Sequence, residues 1–439
     1  MAFFTDKQTL EDLNITGKYK PNSLFSIFNK VITTGAERLL EEYLLNPLTD
    51  EAAIVKRSKY FLFFSQHNFQ FPISNVGFST MENFLLSGGG RSLITSASNT
   101  LRRKVMFKLG IGEEEQTFRK NFAATIKELS AVFEFLQEIK LVSSDRTIDR
   151  DIAKALSVLN NPGLQQILSK PNSTPGFLQM IKYDHYLREV MREQLKDVMD
   201  LLYRIDVYIS VAAVAKANKY VFANVLPRDK NEIEIKNCRH PAIPNAKGNT
   251  ISLNDENNLL FLTGANMAGK STLMKSFGIA VYLAHAGFPV AADAMNFSVK
   301  DGLFSSINVS DNIDMGYSHF YAEVLRVKQV AQEVSNGKSL VVIFDELFKG
   351  TNVKDAYDAT LAVTEAFAGY SNCFYIISTH IIEVGDGLKG KINKVKYAYM
   401  PTVMHGNIPH YTYELTQGIT SDRHGMRLIG NEKILELWE

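Results

Sequence analysis

The sequence predicts an all-α region followed by an α/β region, and three observations carry that expectation. From about Ser23 to about Val225 apolar residues recur at helical spacing, with few strand-like runs. After Leu226, Pro227, Arg228 and Asp229 short β-like runs alternate with helical segments, the texture of a sheet with helices on its faces. Within this second region the glycine-bearing segment Gly264 to Thr272 stands between the apolar run Leu259 to Thr263 and a long apolar-periodic stretch. That is the strand, loop, helix setting of a phosphate-binding loop. The boundary is therefore expected near residue 226: residues 1–226 form the helical domain, and residues 227–439 an α/β domain of P-loop NTPase type.

Composition narrows the possibilities. A chain of 439 residues exceeds what one hydrophobic core usually holds, so two or three domains are expected. Lys and Arg total 48 against 47 Asp and Glu, so strong global attraction to nucleic acid is not expected, although a local basic patch is compatible with it. Cys238 and Cys373 lie far apart without metal-ligand spacing and fit a reducing cytoplasm. The opening Met1 to Lys7 has too short an apolar core for a secretory signal. The uncharged stretch Ser276 to Ala292 is too short for a membrane span, and a buried helix behind the loop accounts for it better. A cytoplasmic protein with no membrane partner is the expectation.

In the helical region Leu39, Leu40, Tyr43 and Leu44 make one stripe, and Phe122, Ile126, Leu129, Val132, Phe133, Leu136 and Ile139 another. Loops are expected at Asn46-Pro47, Ser87 to Gly90, Asn160 to Gly163 and Lys170 to Gly176. No proline or glycine interrupts Gln179 to Asn218, which predicts one long helix. In the second region strands are expected at Glu232 to Ile235, Leu259 to Thr263, Ser339 to Phe344 and Cys373 to Ser378. Asn393 to Met400 and His410 to Leu415 alternate in period two around Pro401 to Pro409 and read as an antiparallel hairpin.

The loop fixes the ligand class as nucleoside triphosphate. Gly264 and Gly269 let the backbone N–H groups of Ala265, Asn266, Met267, Ala268 and their neighbours close around phosphate oxygens, Lys270 neutralises them, and the Ser271 hydroxyl reaches Mg²⁺ beside Thr272. A second buried strand supplies Asp345 to order the metal, and Glu346 to orient and deprotonate an attacking water. A third ends in His380, placed to contact the γ-phosphate or the water, because ligands of open α/β sheets gather at the carboxyl ends of strands. ATP and Mg²⁺ are the expected cofactors.

These residues together resemble the MutS family of DNA mismatch-repair ATPases. Thr263 to Thr272 is similar to the family's Thr-Gly-Pro-Asn-Met-x-Gly-Lys-Ser-Thr, with Ala265 for proline. Asp345 to Asn352 resembles Asp-Glu-x-Gly-Arg-Gly-Thr-Ser, and Ser378-Thr379-His380 resembles Ala-Thr-His. Asp311 to Glu323 resembles the segment ending Gly-x-Ser-Thr-Phe-Met-x-Glu, which implies that Ser318 contacts the nucleotide of a partner subunit. Ser23 to Arg57 is similar to the start of the family's helical core. Asp206-Val207 with Arg239-His240-Pro241 resembles the passage from lever helix to ATPase.

The resemblance implies an ABC-ATPase-like class for the P-loop domain, DNA as a partner and a homodimer through the ATPase domain. It has departures. The core-like segment begins near residue 20 and no Phe-x-Glu occurs in the helical part, so direct mismatch reading by this chain is not expected, and separate repair proteins are possible partners. Residues 80–200 look too few for the family's DNA-clamp insertion. Phe348-Lys349 replaces Gly-Arg, Ser306-Ile307-Asn308 replaces Arg-(Ile/Val)-Gly, and after Gly418 to Ser421 and Gly425 little remains for a helix-turn-helix. Arg91, Arg102, Arg103, Lys104 and Lys108 form a locally basic stretch that suits DNA contact or a solvated helix face equally. Three functions are weighed: a DNA-associated ATPase driving levers, a nucleotide-switched protein-interaction module, and a kinase for a small acceptor. Glu346 and the lack of a lid-like arginine segment count against the last.

Overall fold

A computed structural model describes residues 2–17, 20–88, 92–111, 113–143, 145–169, 175–265, 267–307, 319–405 and 408–420. The chain divides into two compact units. One comprises Met1–Phe28, Glu41–Ser65 and Val211–Glu439, the other Asn29–Leu40 and Gln66–Ser210. Segments thus alternate between units, where the sequence suggests a single break near residue 226. Among the described residues no helix is long and apolar enough to cross a membrane.

Among its described residues the first unit holds twelve strands: β1 (Asn224–Leu226), β2 (Ile233–Cys238), β3 (Asn249–Leu253), β4 (Leu259–Gly264), β5 (Ala294–Ser298), β6 (Gly302–Ser306), β7 (Leu340–Phe344), β8 (Phe374–Ser378), β9 (Val395–Met400), β10 (Thr402–His405), β11 (Ile408–Tyr411) and β12 (Thr416–Gln417). The main sheet has the order β12-β9-β4-β8-β7-β6. From β9 to β6 its strands are parallel, and β12 is antiparallel to β9. Every residue of β4, β6, β7 and β8 is buried, as expected for parallel strands covered on both faces. On one face Val342, Phe344, Tyr375 and Ile377 join a core with Val330 and Phe367 of the covering helices. Ile343 points the other way, by the alternation of strands. There the helix Lys270–His285 comes so close that a Cβ on Gly278 would stand 3.0 Å from the Ile343 side chain.

That helix is buried along most of its length because Glu41–Ser65 covers its outer side. The Tyr282 hydroxyl donates to Leu44 O at 2.7 Å, the Leu48 N–H to His285 O at 2.9 Å, and Arg57 Nη1 to Ala286 O at 3.1 Å. The absence of charge from Ser276 to Ala292 follows from this double burial. A second sheet, ordered β1-β5-β2-β3, stands beside the main one in sequence but shares no strand with it.

The edge of the main sheet at β6 is closed by the N-terminal segment. Phe4 pairs in parallel with Gly302, and its carbonyl accepts the Leu303 N–H at 2.9 Å. Thr9 Oγ1 accepts the Ser305 N–H at 2.9 Å, and Asp12 Oδ2 the Ile307 N–H at 2.9 Å. Alternate outward N–H groups of an edge strand are thus satisfied in turn.

Among its described residues the second unit is helical. Asp206, almost fully buried, accepts the Thr33 N–H at 2.8 Å and its hydroxyl at 2.9 Å, anchoring the start of the helix Thr34–Leu45. Two expectations are corrected. Gln179 to Asn218 is not one helix: Phe177–His185 gives way to a π-turn at Tyr186–Val190, then Arg192–Asn218 resumes. Arg188 in that turn donates to Ser87 O at 2.7 Å, Gly88 O at 2.8 Å and Asp184 Oδ1 at 2.9 Å, so side-chain bonding marks the bend without any proline. Nor do Asn393 to Met400 and His410 to Leu415 pair. β9 enters the main sheet beside β4, and the hairpin is β10 with β11, because the buried parallel slot claims the first apolar run.

Candidate active site

The site is built where parallel strands end. β4 runs into the loop and then the helix Lys270–His285, β7 ends one residue before Asp345, and β8 ends two before His380. Gly264 has φ 140°, and a Cβ there would stand 3.0 Å from the Met400 carbonyl; Gly269 has φ 102°. Both positions need glycine for backbone reasons. Met267 also lies in the left-handed region, φ 68°, and is 79% exposed. A non-glycine residue keeps such a backbone only where its surroundings hold it. Asn266 lies outside the described residues.

Lys270 is buried, and its ammonium donates to the loop carbonyls of Gly264 at 2.8 Å and Ala265 at 3.1 Å. Burial pushes its pKa down, while Asp345 and Glu346 push it back up. The Ser271 hydroxyl donates to Asp345 Oδ2 at 2.5 Å. These two hard oxygen donors fit Mg²⁺, which takes one or two protein oxygens and completes its shell with phosphate and water. Among the described residues no group of three or more His, Cys, Asp or Glu side chains is arranged to hold a metal by itself.

Glu346 stands at φ 54°. His380 Nε2 lies 2.5 Å from its Oε1, and Lys349 Nζ 3.7 Å from its Oε2. The hydrogen bond with His380 holds the Glu346 carboxyl below the usual carboxylate range against a partial burial that raises it, with the charges of Lys349 and Lys270 assisting. Phe348 likewise has φ 61° and is buried, its ring 5.8 Å from that of Phe320.

A cavity of about 830 Å³ opens over the loop. Ala265, Met267, Gly269, Lys270, Ser271 and Thr272 line one side, and Glu346 reaches it. Gly264 and Ala268 do not line it: the Ala268 methyl is buried, and its N–H faces the Ala265 carbonyl at 3.3 Å.

A family model described as MutS domain V matches residues 260–434. The chain is similar to DNA mismatch repair protein MutS of Fusobacterium nucleatum, 27% identical over 325 residues that cover 70% of this chain and 35% of that protein. The protein of the same description from Clostridioides difficile is 26% identical over 326 residues, 71% of this chain and 33% of its own length. Residues 260–434 thus match a MutS domain, and about 70% of the chain is similar to MutS proteins. DNA mismatch repair protein spellchecker 1 of Drosophila melanogaster adds 28% identity over 235 residues, 52% of this chain and 25% of that protein. The chain spans about a third of the length of the first two relatives.

Within this site the cavity-lining residues missed by sequence reasoning are His240, Ile243, Met400 and Tyr413, the last two lying against the loop glycines. Burial, with a smaller contribution from Lys275, pushes His240 below the usual imidazole range and favours its neutral form. Tyr413 has φ 56°, and its ring lies where a Cβ on Gly269 would meet it at 3.0 Å. Asn249 pins that turn from both sides, donating to Tyr413 O at 3.0 Å and accepting the Leu415 N–H at 2.6 Å. No local pattern announces them. The one available signal was the aromatic pair Tyr411 and Tyr413 beside the proline-bounded turn.

The other candidates drawn from the sequence divide. Ser318 and Arg91 lie outside the described residues. Arg103 is turned inward beside Asp184 and Glu115, at 3.9 Å from each; Arg102 meets Glu114 at 3.6 Å; and Lys104 sits over the Phe177 ring at 4.5 Å. Lys108 is exposed.

Proposed function

We propose that this chain is an ATP hydrolase of the MutS type: residues 264–272 hold Mg·ATP in an ABC-ATPase-like P-loop domain, and hydrolysis moves a helical core and lever region. The observation that carries the reading is the convergence of Lys270, Ser271, Asp345, Glu346 and His380 at the ends of three adjacent parallel strands.

The roles follow from the chemistry. Lys270 exchanges its two neutral carbonyl partners for triphosphate oxygens, a stronger charge-assisted contact. Ser271 and Asp345 hold the magnesium ion, which when bound neutralises charge on the phosphate oxygens. Glu346, kept ionised by its neighbours, accepts a proton from water as the water oxygen bonds to the γ-phosphorus. The bond from that phosphorus to the bridging oxygen breaks, and its electron pair leaves on ADP. His380 orients Glu346 through the 2.5 Å contact. In the same cavity Tyr413, Met400, His240 and Ile243 offer apolar and aromatic surface suited to a nucleobase. Ser318 is the proposed contact with a second subunit's nucleotide, which makes the working form a homodimer. DNA is the proposed polymer partner, in repair or recombination control.

A second reading is favoured by one observation. The basic stretch is largely engaged within its own unit, whereas Val105, Phe107, Leu109 and Ile111 beside it are exposed. That composition suits a nucleotide-switched module that holds a protein rather than DNA. ATP turnover measured with and without duplex, branched and mismatched DNA separates the two. Stimulation by DNA that fades steeply with salt is the outcome for the first reading; slow turnover indifferent to every DNA is the outcome for the second.

A further inference from the structure

The carboxylate of Asp345 is held from two sides by hydroxyls. Ser271 donates to Oδ2 at 2.5 Å, and Ser378, the last residue of β8, donates to Oδ1. Ser378 is fully buried. It also reaches the next residue along: its carbonyl accepts the Glu346 N–H at 3.1 Å, and its Oγ stands 3.3 Å from the same nitrogen.

The placement is a consequence of register. Phe344 of β7 pairs with Ile377 of β8, so the residue after Ile377 must stand beside the residue after Phe344. Any amino acid at position 378 would supply the carbonyl that bonds Glu346. The donor to Asp345 comes from the side-chain hydroxyl, and the similar family motif carries alanine here, so the strand itself does not demand serine. The backbone next to it is strained, with Glu346 at φ 54°, a conformation that a non-glycine residue keeps only where its surroundings hold it.

We propose that Ser378 is a positioning residue for the metal-holding carboxylate. Its hydroxyl fixes the rotation of Asp345 so that Oδ2 faces Ser271, and its backbone and side chain together hold the Asp345-Glu346 peptide against β8. The inference rests on the reading that residues 264–272 hold Mg·ATP. Ser378 touches neither nucleotide nor metal; it acts through Asp345. Removing the hydroxyl leaves Oδ1 without its donor in a partly buried setting and frees the carboxylate to rotate, so the cation meets a less organised ligand. Partners of metal ligands typically govern affinity by about 10- to 100-fold.

The test is a titration of the 439-residue chain, bound to a fluorescent ATP analogue carrying the mant group, with magnesium chloride, for wild type and Ser378→Ala. The expected result is an increase of about 10-fold or more in the magnesium concentration needed for half-maximal tightening, with affinity for the metal-free analogue unchanged. Superimposed magnesium curves overturn the inference. Equal loss of metal-free and metal-bound affinity also overturns it, since a general disturbance of the strand would act on both. If wild type fails to bind the analogue, the reading of residues 264–272 fails first, which is a separate and recognisable result. Should Ser378→Ala not fold, as judged by its thermal transition, Ser378→Cys keeps the volume, weakens the donor and supports the same comparison.

Discussion

Glu346 carries two neighbours of unequal weight, His380 at 2.5 Å and Lys349 at 3.7 Å, and the nearer one does most to hold its carboxyl low. Replacing His380 with alanine should let that carboxyl drift up toward its ordinary range. The base then protonates at higher pH, so the acid limb of the rate profile moves to higher pH and the plateau falls, by about 10-fold if orientation is the main loss. A profile of kcat against pH for wild type and His380→Ala reads both effects. Tyr413→Ala removes an aromatic surface from the cavity and should weaken ATP binding by about 1 kcal/mol, roughly fivefold, with little change in kcat. At this scale the sequence spoke clearly where motif and strand end coincide: Lys270, Ser271, Asp345, Glu346 and His380 lie together. It was silent about Tyr413 and His240, which reach the loop from far along the chain. It also gave no hint that Phe348, standing where the similar motif has glycine, keeps a left-handed backbone while its ring packs on Phe320.

Edge strand β6 shows how an element is finished by residues distant in sequence. Asp12 Oδ2 accepts both the Ile307 N–H at 2.9 Å and the Ser305 hydroxyl at 2.8 Å, and Arg326 binds Asp6 at 3.0 Å and Ser305 O at 2.7 Å. Asp12→Ala leaves an N–H and a hydroxyl buried without that acceptor and should destabilise the protein by about 1–3 kcal/mol. A urea transition followed by circular dichroism measures it; a change smaller than a few tenths of a kcal/mol would refute the role. Nothing in the string Lys7 to Asp12 marks it as an edge cover, since its partners are tertiary. The same cause misplaced the hairpin: period-two alternation identifies strands and not their partners, and β9 found a deeper slot beside β4. The break after His185 escaped notice because the usual kinking residues are absent and the bend is fixed by Arg188 bonding to Ser87 and Gly88.

For the molecule as a whole, the change from helical to mixed texture near residue 226 was legible in the period of the apolar residues, and the threading of the chain between two units was not, because segment exchange leaves no local pattern. Global stability should carry a pH signature from His285. Its Nδ1–H donates to Val281 O at 2.8 Å, its Nε2 accepts the Lys300 N–H at 2.9 Å, and burial pushes its pKa from 6.5 to about 4. Between those values the unfolded chain binds a proton that the folded chain refuses. The contribution is therefore present above 6.5 and is lost as pH falls toward about 4, on the order of 3 kcal/mol in all. His285→Gln should flatten that part of the stability curve in urea melts taken across the window. Whether residues 264–272 form a hydrolytic Mg·ATP site is decided by measuring ATP binding and ATP turnover side by side for wild type, Lys270→Ala and Glu346→Gln. Lys270→Ala should lose binding, and Glu346→Gln should bind ATP like wild type yet turn it over at least ~100-fold more slowly. Unchanged ATP binding in Lys270→Ala, or wild-type turnover in Glu346→Gln, would overturn the assignment.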